Sequence, residues 1–229
     1  MIWVFSLAIP AFSKYVDVDK IVIELKMLTK HLKLTLDKSR CIGCGVCLSA
    51  CPMGAIERGP VGAAQRGLTS VPAVLIDLEK CSFCGICDIL CPFGCIELTI
   101  DGEHKLMMME SAALPMVEKI EVDCEATGRK AYKFFEGEIR IRPEKCPGGC
   151  YTCVEICPVG ALKIPKRPGW EKSARIEVDK EKCIHCGACI NGCPVKDVIE
   201  IERSNFHFSG NHTKIWYEIM EKLRKPKRT

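Results

Sequence analysis

What the chain lacks narrows its chemistry first. No apolar stretch reaches the roughly 18 residues needed to cross a bilayer, so no membrane span is expected. The first fifteen residues make a poor secretory leader. The apolar run Ile2–Phe12 has no basic flank before it, contains Pro10 and ends without a clear small-residue cleavage site. Charge does not come in blocks: the net +4 is spread along the chain and implies no nucleic-acid partner. There is no glycine-rich dinucleotide turn after a strand, no phosphate loop and no zinc-protease pair. The five histidines (His31, His104, His185, His207, His212) are scattered. Nothing resembles a substrate site, and the expected setting is a reducing, low-oxygen cytoplasm.

Cysteine, in contrast, is abundant, with 18 in 229 residues. Cys41-Ile-Gly-Cys44-Gly-Val-Cys47-Leu-Ser-Ala-Cys51-Pro52 has the C-x2-C-x2-C-x3-C-P spacing of bacterial-type [4Fe–4S] sites. The run recurs as Cys81, Cys84, Cys87, Cys91 with Pro92, and as Cys183, Cys186, Cys189, Cys193 with Pro194. A modified copy is Cys146, Cys150, Cys153, Cys157 with Pro158. Disulfides would suit a secreted chain, which the N-terminus does not support. Zinc sites generally use cysteine pairs set well apart. Four [4Fe–4S] clusters are the expected cofactors.

The x2-x2 loop wraps three thiolates around one cluster, while the x3 turn and the proline carry the fourth to the neighbouring cluster. The expected sets are Cys41, Cys44, Cys47 with Cys91, and Cys81, Cys84, Cys87 with Cys51. The second half gives Cys146, Cys150, Cys153 with Cys193, and Cys183, Cys186, Cys189 with Cys157. Gly43, Gly45, Gly85 and Gly187 let the backbone pass close enough to donate N–H groups to sulfur. Ile42, Val46, Ile86, Ile184 and Ile190 would exclude water, a role that plain core packing also fulfils.

The Cys146 copy departs from the others, with an x3 first gap and Tyr151 in place of a glycine. Cys146-x3-Cys150-x2-Cys153 alone is the spacing of radical S-adenosylmethionine enzymes. Those need a large barrel after the motif, whereas only 76 residues follow Cys153, and Cys157-Pro158 supplies a fourth thiol. An altered loop with a somewhat different potential is the expectation. Cys95 and Cys124 read as core thiols. His185, inside the fourth loop opposite Ile42, Phe83 and Thr152, reads as loop filler before donor or pH-sensitive tuner.

Motif starts lie 40, 65 and 37 residues apart, so the copies pair first with second and third with fourth. Each motif sits between short alternating runs, which gives an α+β class: two tandem two-cluster bacterial-type ferredoxin units joined by a β-hairpin-rich segment. The expected division is 1–31 extension, 32–104 first unit, 105–137 connector, 138–203 second unit and 204–229 helix with basic tail. Ile21–Leu28 is open between helix and strand, and residues 1–26 are open to being an upstream extension before Met27. Asp101-Gly102 signals a hairpin turn into Lys105–Met109. An amphipathic helix is expected over Asn211–Lys225, capped by Asn211, with Ile215, Trp216, Ile219, Met220 and Leu223 on one face.

On these motifs the chain resembles the polyferredoxins of methanogenic archaea. Gly59-Pro-Val-Gly-Ala-Ala, Arg66-Gly67, Cys91-Pro-Phe-Gly and Ile201-Glu-Arg203 are most similar to the polyferredoxin subunit of formylmethanofuran dehydrogenase. Members of that family commonly carry more than these four motifs. The resemblance implies an electron wire between a donor and a molybdenum or tungsten enzyme on another subunit, which reduces CO2 to a formyl group. The competing functions are a freely diffusing ferredoxin and an iron–sulfur subunit of a hydrogenase or another molybdenum enzyme. Diffusing carriers usually have strongly acidic surfaces, unlike this chain, whose apolar N-terminus and amphipathic C-terminal helix point to permanent partners.

Overall fold

The structure is a computed structural model and describes residues 10–60, 71–124, 128–147, 149–165, 176–210 and 213–226. Alternation decides its start. Ala11–Val16 (β1), Lys20–Lys26 (β2) and His31–Asp37 (β3) form successive antiparallel strands. In β3 the leucines at 32, 34 and 36 turn inward and meet Ile21 and Ile23 of β2. Ile21–Leu28 is therefore strand through Lys26. The segment before residue 32, expected as an extension, supplies core side chains to the first unit's sheet.

After β3 the chain runs through the Cys41 loop into α1 (Val46–Ala50), then β4 (Ile56–Arg58) and β5 (Val74–Ile76). The Cys81 loop leads to α2 (Ile86–Ile89), β6 (Ile96–Ile100) and β7 (Glu103–His104). The turn between β6 and β7 has Asp101 at φ 54° and Gly102 at φ 85°, the left-handed pair of a tight hairpin. β3 pairs with β6, and β4 with β5, so the sheet order is β1-β2-β3-β6-β7 with a separate two-stranded ribbon.

The connector corrects one expectation. Met107–Glu110 is a helical turn (α3), so the β-hairpin does not extend through Lys105–Met109. Methionine and glutamate are good helix formers, and no alternation holds these residues in a strand. Met116–Val117 (β8) is followed by the antiparallel pair Ile120–Cys124 (β9) and Arg129–Lys133 (β10). This hairpin touches both halves: the Tyr132 N–H donates to the Pro92 carbonyl at 2.7 Å, and the Cys124 thiol to the Pro158 carbonyl at 2.8 Å.

The second half repeats the first. Phe135–Ile141 (β11), α4 (Thr152–Glu155), β12 (Leu162–Lys163), β13 (Glu177–Val178), α5 (Ala188–Gly192) and β14 (Ile199–Phe206) follow in order. β11 pairs with β14, and β12 with β13. Phe208–Ser209 (β15) pairs back to β8.

The last helix, α6, spans Lys214–Arg224. Its cap is Thr213, whose hydroxyl accepts from the Trp216 N–H at 3.4 Å; Asn211 lies outside the described residues. Trp216, Ile219, Met220 and Leu223 are buried together with Val46 and Ala50 of α1 and Ile86, Ile89 and Leu90 of the Cys81 copy. Ile215 is 43% exposed and does not share that face. The chain itself covers the helix's apolar stripe, which removes one sequence argument for a permanent partner. Trp216→Ala should therefore cost about 3–5 kcal/mol, whereas Ile215→Ala should stay within about 0.5 kcal/mol. Anaerobic denaturant unfolding of the two variants checks this.

Candidate metal centres

One backbone bond recurs in all four copies and explains how thiols from different motifs meet. The residue that ends each incoming strand donates its N–H to a carbonyl just past the fourth cysteine of the paired copy. Asp37 donates to Cys95 at 2.7 Å, and Asp77 to Ala55, Arg142 to Val198 and Asp179 to Ala161, each at 2.8 Å. The start of one motif is thereby tied to the end of its partner. Three of the four positions are aspartates whose carboxylates also accept from the turn that follows: Asp37 from the Ser39 N–H at 2.9 Å, Asp77 from Glu79 at 3.0 Å, and Asp179 from Glu181 at 3.2 Å. The recurring D-x3-C pattern signals this turn in the sequence, and the motif reading above missed it. Arg142-Pro143 replaces it in the Cys146 copy.

The thiols gather as that pairing dictates. One pocket is lined by Cys41, Cys44, Cys47 and Cys91, with Cys95 as a fifth thiol. A second is lined by Cys51, Cys81, Cys84 and Cys87. A third is lined by Cys157, Cys183, Cys186 and Cys189. Around Cys153 the neighbouring thiols are Cys146, Cys193 and Cys150. The thiols stand around a space, and among the described residues no three such side chains are placed to hold a single metal ion. Sulfur-only donors around a small apolar-walled pocket fit a [4Fe–4S] cube.

The loops share a backbone design. The residue before the second cysteine is left-handed in every copy: Gly43 at φ 71°, Phe83 at 52°, Gly149 at 80° and His185 at 52°. His185 thus corresponds to Gly43 and Gly149, and not to Ile42 and Thr152. It is buried at 3% exposure, and burial lowers its pKa. After the second cysteine, Gly45, Gly85 and Gly187 are left-handed as well, whereas Tyr151 is not, at φ −129° and ψ 14°. Among the described residues the Cys146 loop therefore has one left-handed position where the others have two.

At the fourth cysteine, Ala55, Cys95 and Ala161 donate backbone N–H groups to the sulfurs of Cys51, Cys91 and Cys157 at 3.3, 3.4 and 3.3 Å. The last copy carries one extra residue here. Its left-handed position falls on Asp197 (φ 59°), while Gly54, Gly94 and Gly160 serve the others. Cys95 and Cys124 are both buried. Cys95 is more than filler, for its sulfur lies 3.2 Å from that of Cys91. Hydrogen bonding from Cys95 lowers the Cys91 pKa.

Burial and crowding act the other way on most of the remaining thiols. Burial first, and then Cys91, push Cys44 up to about 12; burial and Cys146 push Cys153 up to about 12. Burial likewise raises Cys47, Cys87, Cys186 and Cys189. Such thiols keep their protons at neutral pH until a metal displaces them, so loading releases protons.

The helical turn also sets pockets side by side, for the Cys51 N–H donates to the Cys47 carbonyl at 3.0 Å while the two thiols line different pockets. The inter-unit seam is built by Asn191 of α5, whose amide donates to the Cys44 carbonyl at 3.0 Å and the Gly43 carbonyl at 3.3 Å. Arg58 of β4 returns a bond to the Asn191 carbonyl. A Cβ on Gly45 would stand 2.8 Å from the Asn191 amide nitrogen, and one on Gly187 would stand 3.3 Å from the Cys44 carbonyl. Glycine at both positions lets the loops approach.

Comparison with known proteins finds iron–sulfur relatives. The 4Fe-4S dicluster domain family matches residues 40–95 and 145–196 in one description, and 73–158 and 175–221 in another. The polyferredoxin-like subunit of an aliphatic sulfonate oxidoreductase from Pyrococcus furiosus is 37% identical over 73 residues, 31% of this chain and 38% of that one. The electron transport protein HydN of Escherichia coli is 32% identical over 81 residues, 30% of this chain and 46% of its own. The chain thus spans less than half the length of either relative. A chain of the formate dehydrogenase–heterodisulfide reductase–formylmethanofuran dehydrogenase complex from Methanospirillum hungatei superposes with a TM-score of 0.80 at 30% identity. That match covers 94% of this chain and 92% of the other.

The crossed thiol sets predict which substitution empties which pocket. Cys51→Ala should remove about one quarter of the iron and leave intact the pocket of the motif it belongs to, since Cys51 lines the Cys81 pocket. Cys95→Ala and Cys124→Ala should keep all of it. Anaerobic iron and sulfide analysis of the three proteins checks both expectations.

Proposed function

The chain belongs to the 4Fe-4S dicluster domain family, and from that premise we propose that it is a four-cluster electron relay, working as a fixed subunit of an anaerobic redox complex such as formylmethanofuran dehydrogenase. The thiolates of Cys41, Cys44, Cys47 and Cys91 hold one cluster, and those of Cys81, Cys84, Cys87 and Cys51 the second. Cys146, Cys150, Cys153 and Cys193 hold the third, and Cys183, Cys186, Cys189 and Cys157 the fourth. A bound cluster takes up and gives back one electron. The chain's own work is spacing and tuning.

The observation that carries this reading is the grouping of three thiols from one copy with the fourth from its partner in three separate pockets. Backbone N–H groups aimed at Cys51, Cys91 and Cys157 stabilise negative charge on sulfur and so favour the reduced state. Ile42, Ile86 and Ile184, each 1% exposed, keep water from the loops. The relay's order departs from that of the sequence. It runs from the Cys81 set to the Cys41 set, which exchange their fourth thiols, crosses the seam where Gly187 and Asn191 meet the Cys44 carbonyl to the Cys183 set, and ends at the Cys146 set.

Similarity over nearly the whole length to a chain of a large redox assembly supports the fixed-subunit role. Among the described residues no helix is long and apolar enough to cross a membrane. A freely diffusing carrier is the second reading, favoured by the covered apolar face of α6. Analysis of the anaerobically purified protein should give on the order of sixteen iron and sixteen sulfide per chain; zinc without sulfide would end the reading. From native extract the protein should elute with a molybdenum or tungsten enzyme. Elution alone as a monomer would establish the diffusing carrier instead.

A further inference from the structure

Arg203, in β14 just beyond the fourth copy, is 1% exposed. Burying a guanidinium is costly unless both its donors and its charge are met. Neutral carbonyls meet the donors. Nε and Nη2 donate to the His185 carbonyl at 2.9 and 2.8 Å, Nη2 also to that of Cys186 at 2.9 Å, and Nη1 to that of Leu223 at 2.7 Å. Cζ lies 4.3 Å from the centroid of the Phe135 ring. None of these partners carries a formal charge. The charges that reach Arg203 are those the sulfurs of Cys186, Cys44, Cys189 and Cys183 carry once a metal has displaced their protons.

Those thiolates come from both units. Cys44 belongs to the first pocket and the other three to the pocket facing it across the seam. The same Gly187 Cβ position that meets the Cys44 carbonyl at 3.3 Å lies 3.6 Å from Nη2 of Arg203. The guanidinium therefore borders both loops at the place where the two halves of the relay meet. Reduction adds a negative charge to a cluster, and a cation held in a low-dielectric interior stabilises that added charge more than one in water would.

We propose that Arg203 is the fixed cation of the inter-unit junction, raising the reduction potentials of the two clusters that flank it above those of the two outer clusters. Electrons from either end then collect at the centre of the relay before leaving. This rests on the four-cluster relay above. Arg203 is a positioning and tuning residue, for its side-chain donors reach backbone carbonyls of the loops and of α6.

An anaerobic redox titration followed by electron paramagnetic resonance, on the intact chain and on Arg203→Gln, Arg203→Met and Arg203→Lys, tests this. In the wild-type protein two of the four clusters should reduce at higher potential than the other two. In the glutamine and methionine proteins those two should move to lower potential while the outer two hold. The lysine protein keeps the charge but loses the forked carbonyl bonds, so its potentials should match wild type while its thermal stability falls. Unmoved potentials in both neutral variants, or an equal shift of all four in every variant, would reduce Arg203 to a structural staple. Should the neutral variants lose iron, the wild-type and lysine titrations decide. The lack of an upper pair in wild type, or a drop of that pair in the lysine protein, overturns the proposal. Fewer than four clusters in the wild-type protein would instead overturn the relay itself, whatever the variants do.

Discussion

A C-x2-C-x2-C loop can line one side of a pocket but cannot close it, because the helical turn after the third cysteine carries the chain away before the fourth thiol arrives. The paired copy must supply the closing sulfur, and much of the rest of the fold follows from that need. The N–H···O bonds of Asp37, Asp77, Arg142 and Asp179 tie each motif's entry to its partner's exit. β3 pairs with β6, and β11 with β14, for the same reason. The proline after the fourth cysteine is fixed to the chain's middle in two copies, through Tyr132 at Pro92 and Cys124 at Pro158. A unit of this size buries little apolar surface, so metal binding and folding are expected to be strongly coupled.

Crossed pairing accounts for each half and leaves the question of how the halves communicate. The answer lies in groups outside the cysteine motifs' ligands. Asn191 binds carbonyls of the first loop from the last helix of the second unit, and glycines at 45 and 187 remove the side chains that would hold the loops apart. α6 lies over α1 and α2, and its last carbonyls are met in part by Arg203 through Leu223. The C-terminal helix thus belongs to the packing of the first unit and to the charge balance of the seam at once.

How much of this was legible depended on range. The cysteine runs, the alternation of residues 32–36 and the left-handed Asp101-Gly102 turn are local patterns, and each reads correctly from the chain. Ile21–Leu28 did not, because a short apolar run fits either period until β3 is there to pair with it. Met107–Met109 looked like the far arm of a hairpin, yet β7 ends at His104 and the methionines coil. Thr213 took the cap expected of Asn211, and Ile215 fell off the buried face, a matter of where the helix starts. The Asn191 bonds join residues 147 and 148 positions apart, and Arg203 is an ordinary strand residue until the carbonyls of Leu223 and Cys186 surround it. No spacing rule reports such contacts.

The central claim is that the two units meet through the Cys41 and Cys183 pockets, which puts the sequence's outer motifs at the middle of the relay and its inner motifs at the ends. An anaerobic crystal structure of the cluster-loaded protein, with iron located by anomalous scattering, measures this directly. The shortest cluster-to-cluster gap between the units should join the cluster bound by Cys44 to the one bound by Cys186. A shorter gap between the clusters bound by Cys81 and by Cys146 would contradict the order and the role given to the seam.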